Sequence, residues 1–288
     1  MQIQKSFKGK TPYGTLYLVP TPIGNLQDIT QRAVDTLKEV DFICAEDTRN
    51  TGLLLKHFEI TSKQISFHEH NAYGKIPDLL NFLKEGKSLA QVSDAGMPSI
   101  SDPGHDLVKA AIAEDIPVVS LPGASAGITA LIASGLAPQP HIFYGFLSRK
   151  SGQQKDFLKS KRTYPETQIF YESPYRVAET LQSILDIYGN RQIVLVRELT
   201  KLYEEYQRGS ISDILAYIAE NQLKGECLLI VDGYQGDVYG EADLDNLDIS
   251  KLVRQLVEEG DKPNKAIKKI ANTYNLNRQT VYNSYHDL

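Results

Sequence analysis

Cysteine is scarce. Cys44 and Cys227 are the only two, each inside an apolar run, Phe42–Ala45 and Cys227–Val231. That excludes a disulfide-stapled scaffold. A single Cys44–Cys227 bridge remains open, and two buried thiols in a reducing compartment is the favoured reading. Histidine is scarce too: His68 and His70 stand two apart, with no His, Cys or carboxylate set at a metal-binding spacing, so no metal is expected. Long uncharged runs are nearly absent. Val118–Ala137 carries no charge, but Pro122, Gly123, Ser125, Gly127 and Ser134 interrupt it. It therefore reads as a buried strand turning into a buried helix, and no membrane span is expected. Met1–Lys10 is polar and contains lysine, without the apolar stretch of a secretory signal, so the expected location is cytoplasmic. Neither the Walker A pattern nor Gly-x-Gly-x-x-Gly occurs, which removes the usual cradles for nucleotide phosphates.

What is present is an ordinary globular composition, 41% hydrophobic and 23% charged over 288 residues, enough to bury more than one core. Strand-like apolar runs alternate with helix-like ones as far as about residue 231, which predicts an α/β fold. Nine strands are expected: Thr15–Val19, Phe42–Ala45, Ser88–Ser93, Pro117–Leu121, His141–Tyr144, Gln168–Tyr171, Gln192–Val196, Leu202–Arg208 and Cys227–Val231. Pro138, Pro140 and Gly145 mark a loop that divides an N-terminal lobe, 1–137, from a C-terminal lobe, 138–233. Between Asp232 and Asp248 lie six acidic residues, three glycines and no lysine or arginine, so 234–248 reads as an acidic linker. Residues 249–288 then carry seven Lys/Arg against four Asp/Glu, a local +3 that leaves −8 for the rest of a chain of net charge −5. Three short helices, Ser250–Glu259, Pro263–Tyr274 and Arg278–Asp287, have a helix-turn-helix-like spacing. A small bundle that docks or dimerises fits that spacing equally well.

Three stretches carry chemistry, each placed directly after an expected strand. Ser93–Gly104 offers Asp94, Gly96 and Gly104; Leu121–Gly127 is almost without side-chain bulk; Val19–Leu26 contains Pro20, Pro22 and Gly24. Small residues at strand ends let a ligand lie against main-chain donors. One such stretch alone is an ordinary turn; three together predict a ligand cleft along one sheet edge.

Gly14-Thr15-Leu16-Tyr17, Thr21-Pro22-Ile23-Gly24-Asn25-Leu26 and Ala45-Glu46-Asp47-Thr48-Arg49 occur in this order, followed by Ser93-Asp94-Ala95-Gly96 through Pro103-Gly104 and Pro122–Ala126. Phe170–Arg176 and Arg197–Lys201 complete the series. The set resembles the ribosomal RNA small subunit methyltransferase I family over residues 14 to about 233. Pro20, Met97 and Ser99 depart from that pattern, and the linker and tail match more loosely. The resemblance implies a tetrapyrrole-methylase fold of two α/β lobes with S-adenosylmethionine in the cleft between them, a helix-turn-helix-like C-terminal module, and a homodimer. It also implies a substrate, the ribose 2′-hydroxyl of a decoding-centre cytidine in 16S rRNA of the small ribosomal subunit. By similarity to tetrapyrrole methylases the cofactor residues are Pro22, Asp94, Ala95, Gly96, Ser99, Ile100, Ser125, Ala126 and Glu172.

Methyl transfer from a sulfonium is an in-line displacement, so placing the acceptor oxygen about 3 to 3.5 Å from the methyl carbon supplies much of the catalysis. Candidates for accepting the hydroxyl proton are Glu46, Asp47 and Lys201, the last only if burial keeps it neutral. Capping of a helix with Arg49 as a surface partner is an equal reading of Glu46 and Asp47. Glu172 with Arg176, or Arg197 with Glu198, can equally be structural ion pairs. For contacts with RNA phosphates the candidates are Arg49, Arg149, Lys150, Lys265, Lys268 and Arg278; as a bland alternative they are solvated surface charges. Two other functions stay open: a methylase acting on a small tetrapyrrole or a protein side chain, and a non-catalytic nucleic-acid-binding protein that senses a ligand.

Overall fold

The structure is a computed structural model that describes residues 1–6, 12–236, 248–258, 260–273 and 277–286. It divides into two compact units, Met1–Tyr234 and Gln235–Leu288. Most of the stretch expected to form the acidic linker lies outside the described residues.

The first unit holds two five-stranded sheets. Strands β1 (Leu16–Leu18), β2 (Phe42–Ala45), β3 (Lys63–Ser66), β4 (Leu89–Val92) and β5 (Val118–Ser120) are all parallel, in the order β3-β2-β4-β1-β5. Helices α1 (Gln31–Glu39), α2 (Thr48–His57), α3 (Ala72–Lys84), α4 (Gly104–Ala113) and α5 (Ala126–Ser134) connect or follow them. Val34 and Leu37 of α1 pack with Ile43 and Val92 on one face, and Leu79 and Leu83 of α3 with Leu107 of α4 cover Leu16 and Leu89 on the other. Coverage on both faces is why β4 reads as a continuously buried run without alternation. Because α1 leaves β1 for one face and α4 leaves neighbouring β4 for the other, a crevice opens at the carboxyl ends of this pair. That is the topological switch point at which open α/β sheets bind ligands.

The second sheet contains β6 (His141–Phe146), β7 (Thr167–Glu172), β8 (Gln192–Arg197), β9 (Glu205–Ser210) and β10 (Cys227–Val231), in the order β6-β7-β10-β8-β9. Only the β6–β7 pair is parallel; the other three pairs are antiparallel. Helices α6 (Ser151–Lys161), α7 (Val177–Tyr188) and α8 (Ile211–Glu220) cover one face around Phe170, Leu181 and Leu195. The opposite face receives α5: Ala130 and Leu131 pack against Ile169, Val194, Val196 and Ile230. Arg208 of β9 fastens the far end of α5, donating to the carbonyls of Ser134 at 3.1 Å and Ala133 at 2.7 Å. A cation there answers both the unpaired carbonyls and the negative end of the helix.

The sequence reading missed β3. Lys-Gln-Ile-Ser has no apolar run, and two of its four residues are exposed because the strand lies at the sheet edge. The expected strand Leu202–Arg208 is displaced to Glu205–Ser210, since residues 198–203 are taken up by a turn. Pro174 lies in the turn just ahead of α7. Cys44 and Cys227 are both free and buried, one in each sheet, which rules out the bridge. No helix among the described residues is long and apolar enough to cross a membrane.

In the second unit α9 (Ile249–Glu258), α10 (Pro263–Thr273) and α11 (Arg278–Tyr285) surround Val253, Ala266, Ile267, Ile270, Ala271 and Val281. Pro263 opens α10 where its missing N–H costs nothing, and the Asn277 side chain caps α11 by accepting from Gln279 N. Glu259, Tyr274 and Asp287, expected at helix ends, and Leu276, expected in a turn, lie outside the described residues.

Leu131 is 2% exposed in the contact that joins α5 to the second sheet. Leu131→Ala is expected to cost about 2–5 kcal/mol, read as a fall in the urea unfolding midpoint.

Candidate active site

The three small-residue stretches meet at the switch point. Thr21 and Gly96 exchange two backbone hydrogen bonds, 3.0 Å and 3.1 Å long, and the Thr21 hydroxyl donates to Ser93 O at 3.1 Å. Gly96 has φ +78°, and a Cβ there would lie 3.2 Å from Ile23 Cγ2 and 3.4 Å from Ala124 O, so glycine is required where all three loops touch. Pro20 packs on Gly123 so closely that a Cβ on the glycine would come within 2.4 Å. The loop after β4 is organised by Asp102, which the sequence reading passed over: its carboxylate accepts from Ser99 N and Gly104 N, both at 2.8 Å. The signal was the aspartate of Ser101-Asp102-Pro103-Gly104, a common turn element. Ser99 adopts φ +67°, and its hydroxyl is buried without a protein partner.

Glu46 and Asp94 cross-link the ends of β2 and β4. The Asp94 carboxylate accepts from Asp47 N at 3.2 Å and from Asn50 Nδ2 at 3.2 Å, and the Asp94 N–H donates to Glu46. Burial, then the nearby negative charges of Asp94 and Asp102, push the Glu46 carboxyl above its ordinary range. A half-buried carboxylate so placed holds a proton more readily than a free glutamate.

Asp47 and Lys201 are engaged differently. Asp47 caps α2 by accepting from Arg49 N at 2.8 Å and forms a two-pronged pair with the Arg49 guanidinium, at 3.0 Å and 2.6 Å. Hydrogen bonds from Arg49 hold its carboxyl down at about 2, which suits a cap and not a proton acceptor. Lys201 Nζ lies 2.8 Å from Glu198 and 3.1 Å from Glu226. Burial favours the neutral amine, but the hydrogen bonds that Lys201 donates to these two carboxylates outweigh it and the pKa is raised. Lys201 is therefore an ammonium at neutral pH, the reverse of what a lysine base needs. Its stem rests on Gly24, where a Cβ would meet Lys201 Cγ at 2.6 Å, and this brings the turn 198–201 against the loop after β1. Glu198 at φ +50° and Thr200 at φ +67° make that turn sharp.

Glu172 is only 3% exposed, and both its oxygens are occupied. Oε1 accepts from Ser173 N at 2.8 Å and pairs with Arg176 at 3.3 Å, while Oε2 accepts from Thr180 at 2.7 Å. It is a structural ion pair and not a group presented to a cofactor. Arg197 pairs with Glu205 across β8 and β9, at 2.5 Å, and not with Glu198. Pro22, Ala95, Ile100, Ser125 and Ala126 stand on the converging loops, with Ile100 61% exposed and Ser125 making no side-chain cap at α5. A hollow of about 260 Å³ beside them is walled by Pro22, Leu26 and Leu53, with Asn50, Ser93 and Asp94 supplying polar atoms. Arg149, Lys150, Lys268 and Arg278 are exposed, and Lys265 pairs with Asp261 at 2.6 Å. No cluster of metal-ligating side chains occurs among the described residues.

Residues 15–215 match the family described as Tetrapyrrole (Corrin/Porphyrin) Methylases. Over all 288 residues, and the whole of both chains, the sequence is 72% identical to "Ribosomal RNA small subunit methyltransferase I" of Streptococcus pyogenes serotype M18 (strain MGAS8232). It is 47% identical to the protein of that name from Bacillus subtilis (strain 168), over 98% of each chain. The chain belongs to the ribosomal RNA small subunit methyltransferase I family. The chain shares its fold with solved structures of other proteins. Diphthine synthase superposes with a TM-score of 0.59 at 11% identity, covering 76% of this chain and 90% of that one. Uroporphyrin-III-C-methyltransferase from Thermus thermophilus superposes with a TM-score of 0.53 at 18% identity, covering 76% and 94%. As a family member the chain is a methyltransferase on a two-sheet α/β fold.

Lys201 is expected to remain protonated throughout the neutral range. A ¹⁵N NMR titration of its Nζ should show the ammonium form at pH 7 and a midpoint above that of a free lysine; Glu226→Gln should lower the midpoint.

Proposed function

We propose that this methyltransferase transfers the methyl group of S-adenosylmethionine to the ribose 2′-hydroxyl of a cytidine in the decoding centre of 16S rRNA, within the assembled small subunit. The observation that carries the reading is the junction of Thr21 with Gly96, which sets three open loops beside the half-buried carboxylate of Glu46. The residues around it suit the cofactor. Ala95, Gly96 and Ala126 leave room for an extended ligand to lie on the main chain, the buried Ser99 hydroxyl lacks a partner, and Asp94 offers a carboxylate to ribose hydroxyls or an ammonium group. Pro22, Ile100 and Ser125 complete the set; Glu172 is left out because its oxygens are already taken. When bound, S-adenosylmethionine supplies an electrophilic methyl group on a sulfonium.

Glu46 takes the proton of the 2′-hydroxyl as that oxygen bonds to the methyl carbon and the sulfur–carbon electron pair stays on sulfur. The raised affinity of Glu46 for a proton is what fits it for this role. Asp102 holds the loop after β4, and the Glu198–Lys201–Glu226 cluster holds the turn that abuts Gly24.

In this reading the exposed Arg49, Arg149 and Lys150 meet RNA phosphates, with Lys265, Lys268 and Arg278 adding charge from the helical unit. A net charge of −5 makes free RNA a poor partner and favours recognition of an assembled particle in the cytoplasm. Ile132, 74% exposed on α5, and Phe146, 65% exposed on β6, offer apolar surface for a second copy in a homodimer. Residues 1–137 and 138–233 act as two lobes about the cofactor.

The test is incubation with tritiated S-adenosylmethionine and, separately, small subunits or protein-free 16S rRNA from cells lacking the enzyme. Label on a ribose 2′-oxygen in small subunits supports the reading; cofactor binding with no label on any RNA would overturn it. Glu46→Gln is expected to slow single-turnover methylation by roughly 10²–10⁴-fold. In the wild type kcat/KM should fall as pH drops through a midpoint above the ordinary glutamate range, because Glu46 must be ionised to accept the proton. Arg149→Ala and Lys150→Ala should each lower the slope of log affinity against log salt by roughly 1 if that side chain neutralises a phosphate.

A further inference from the structure

His68 and Asn71 form an arrangement that the reading above does not use. Ala45 and Ser66 are register partners on β2 and β3, and Phe67 N donates to Ala45 O at 2.7 Å. Glu46 and His68 therefore leave the sheet on adjacent strands. The Asn71 side chain accepts from His68 N through Oδ1 at 2.9 Å, and this contact settles which end of the amide is oxygen. Its Nδ2 is then the donor, directed at Ser66 O and His68 Nε2, each at 3.2 Å. A donor facing Nε2 requires a lone pair there, so the neutral ring carries its proton on Nδ1. That Nδ1 is buried and has no hydrogen-bond partner in the protein. A buried donor without an acceptor calls for an explanation, and active sites are where such groups are kept.

The titratable groups around Glu46 are Asp94 and Asp102 from the loop after β4, with His68 from the loop after β3; His70 faces His68 edge-on, with ring centroids 6.0 Å apart. We propose that His68 is a positioning residue of the methyl-transfer site: Asn71 fixes its tautomer, and when substrate binds the Glu46 side chain turns so that one of its oxygens accepts from the unpartnered Nδ1–H, leaving the other to take the substrate's proton. The inference rests on Glu46 as the proton acceptor. It assigns work to the segment His68-Glu69-His70-Asn71, where no metal-binding spacing was found. A donor on the carboxylate favours its ionised form, which offsets part of the upward push from Asp94 and Asp102.

The full-length enzyme with small subunits as substrate provides the test. His68→Ala is expected to lower kcat by roughly 10- to 100-fold, the worth of one hydrogen bond to a charged group, with KM for S-adenosylmethionine nearly unchanged. It should also move the acid limb of kcat/KM to higher pH. His68→Asn, whose Nδ2–H falls where the Nδ1–H was, should restore most of the rate. Asn71→Asp keeps the acceptor for His68 N but replaces the donor at Nε2 with a second acceptor; it should draw the ring proton to Nε2 and reproduce the His68→Ala defect. ¹⁵N NMR of the His68 ring reads the tautomer without reference to activity: Nδ1–H in the wild type and Nε2–H in Asn71→Asp. An Nε2–H tautomer in the wild type overturns the inference. So does a His68→Ala enzyme with unchanged kcat and pH profile beside an inactive Glu46→Gln, an outcome that leaves Glu46 as the acceptor. Full activity of Glu46→Gln overturns both.

Discussion

Two backbone hydrogen bonds between Thr21 and Gly96 close the gap between β1 and β4, the neighbouring strands whose helices depart to opposite faces of the sheet. Without that closure the crevice would be an open notch lined by loops free to move apart. With it, the loop after β1 is tied to the loop after β4, and through Gly96 and Gly123 both are seated on the loop after β5. The glycines are needed for close contact between main chains, and the ligand-facing surface follows from that contact.

Electrostatic organisation follows the same plan. Each acidic group near the junction is either satisfied by a fixed donor or kept partly out of water with none to spare. Asp47 and Asp102 are of the first kind, holding a helix start and a loop. Glu46 is of the second, and its proton affinity rises because it has the company of other carboxylates without enough donors to compensate. Burial first, and then the carboxylates beside it, set Glu46 apart by raising its hold on a proton.

The parallel sheet and the three ligand loops were legible in the sequence because apolar runs end in Gly/Pro clusters at Val19–Leu26, Ser93–Gly104 and Leu121–Gly127, and nothing about those stretches depends on distant partners. Strand β3 was not legible: an edge strand of Lys63, Gln64, Ile65 and Ser66 has neither an apolar run nor a clean alternation of burial. The state of Lys201 was hidden for another reason. Glu198 is close in sequence, but Glu226 reaches it only because β10 lies beside β8. Glu172 was expected at the cofactor only from the family resemblance, and the contact with Thr180, a full turn into α7, occupies one of its oxygens. Local pattern gives the loops; the protonation and availability of single side chains depend on pairings that only the folded chain makes.

Helix α5 begins at the ligand loop, with Ser125 and Ala126, and ends under Arg208 of the second sheet after burying Ala130 and Leu131 there. The boundary between the two halves of the chain is thus not a boundary between two machines. A recombination event that exchanged the second sheet for another would leave the first with a helix whose inner face no longer matched anything, and the loop at its start would lose its anchor. The two halves must evolve as a pair, and a natural variant altered deep in the second sheet can change ligand affinity without touching a residue of the crevice.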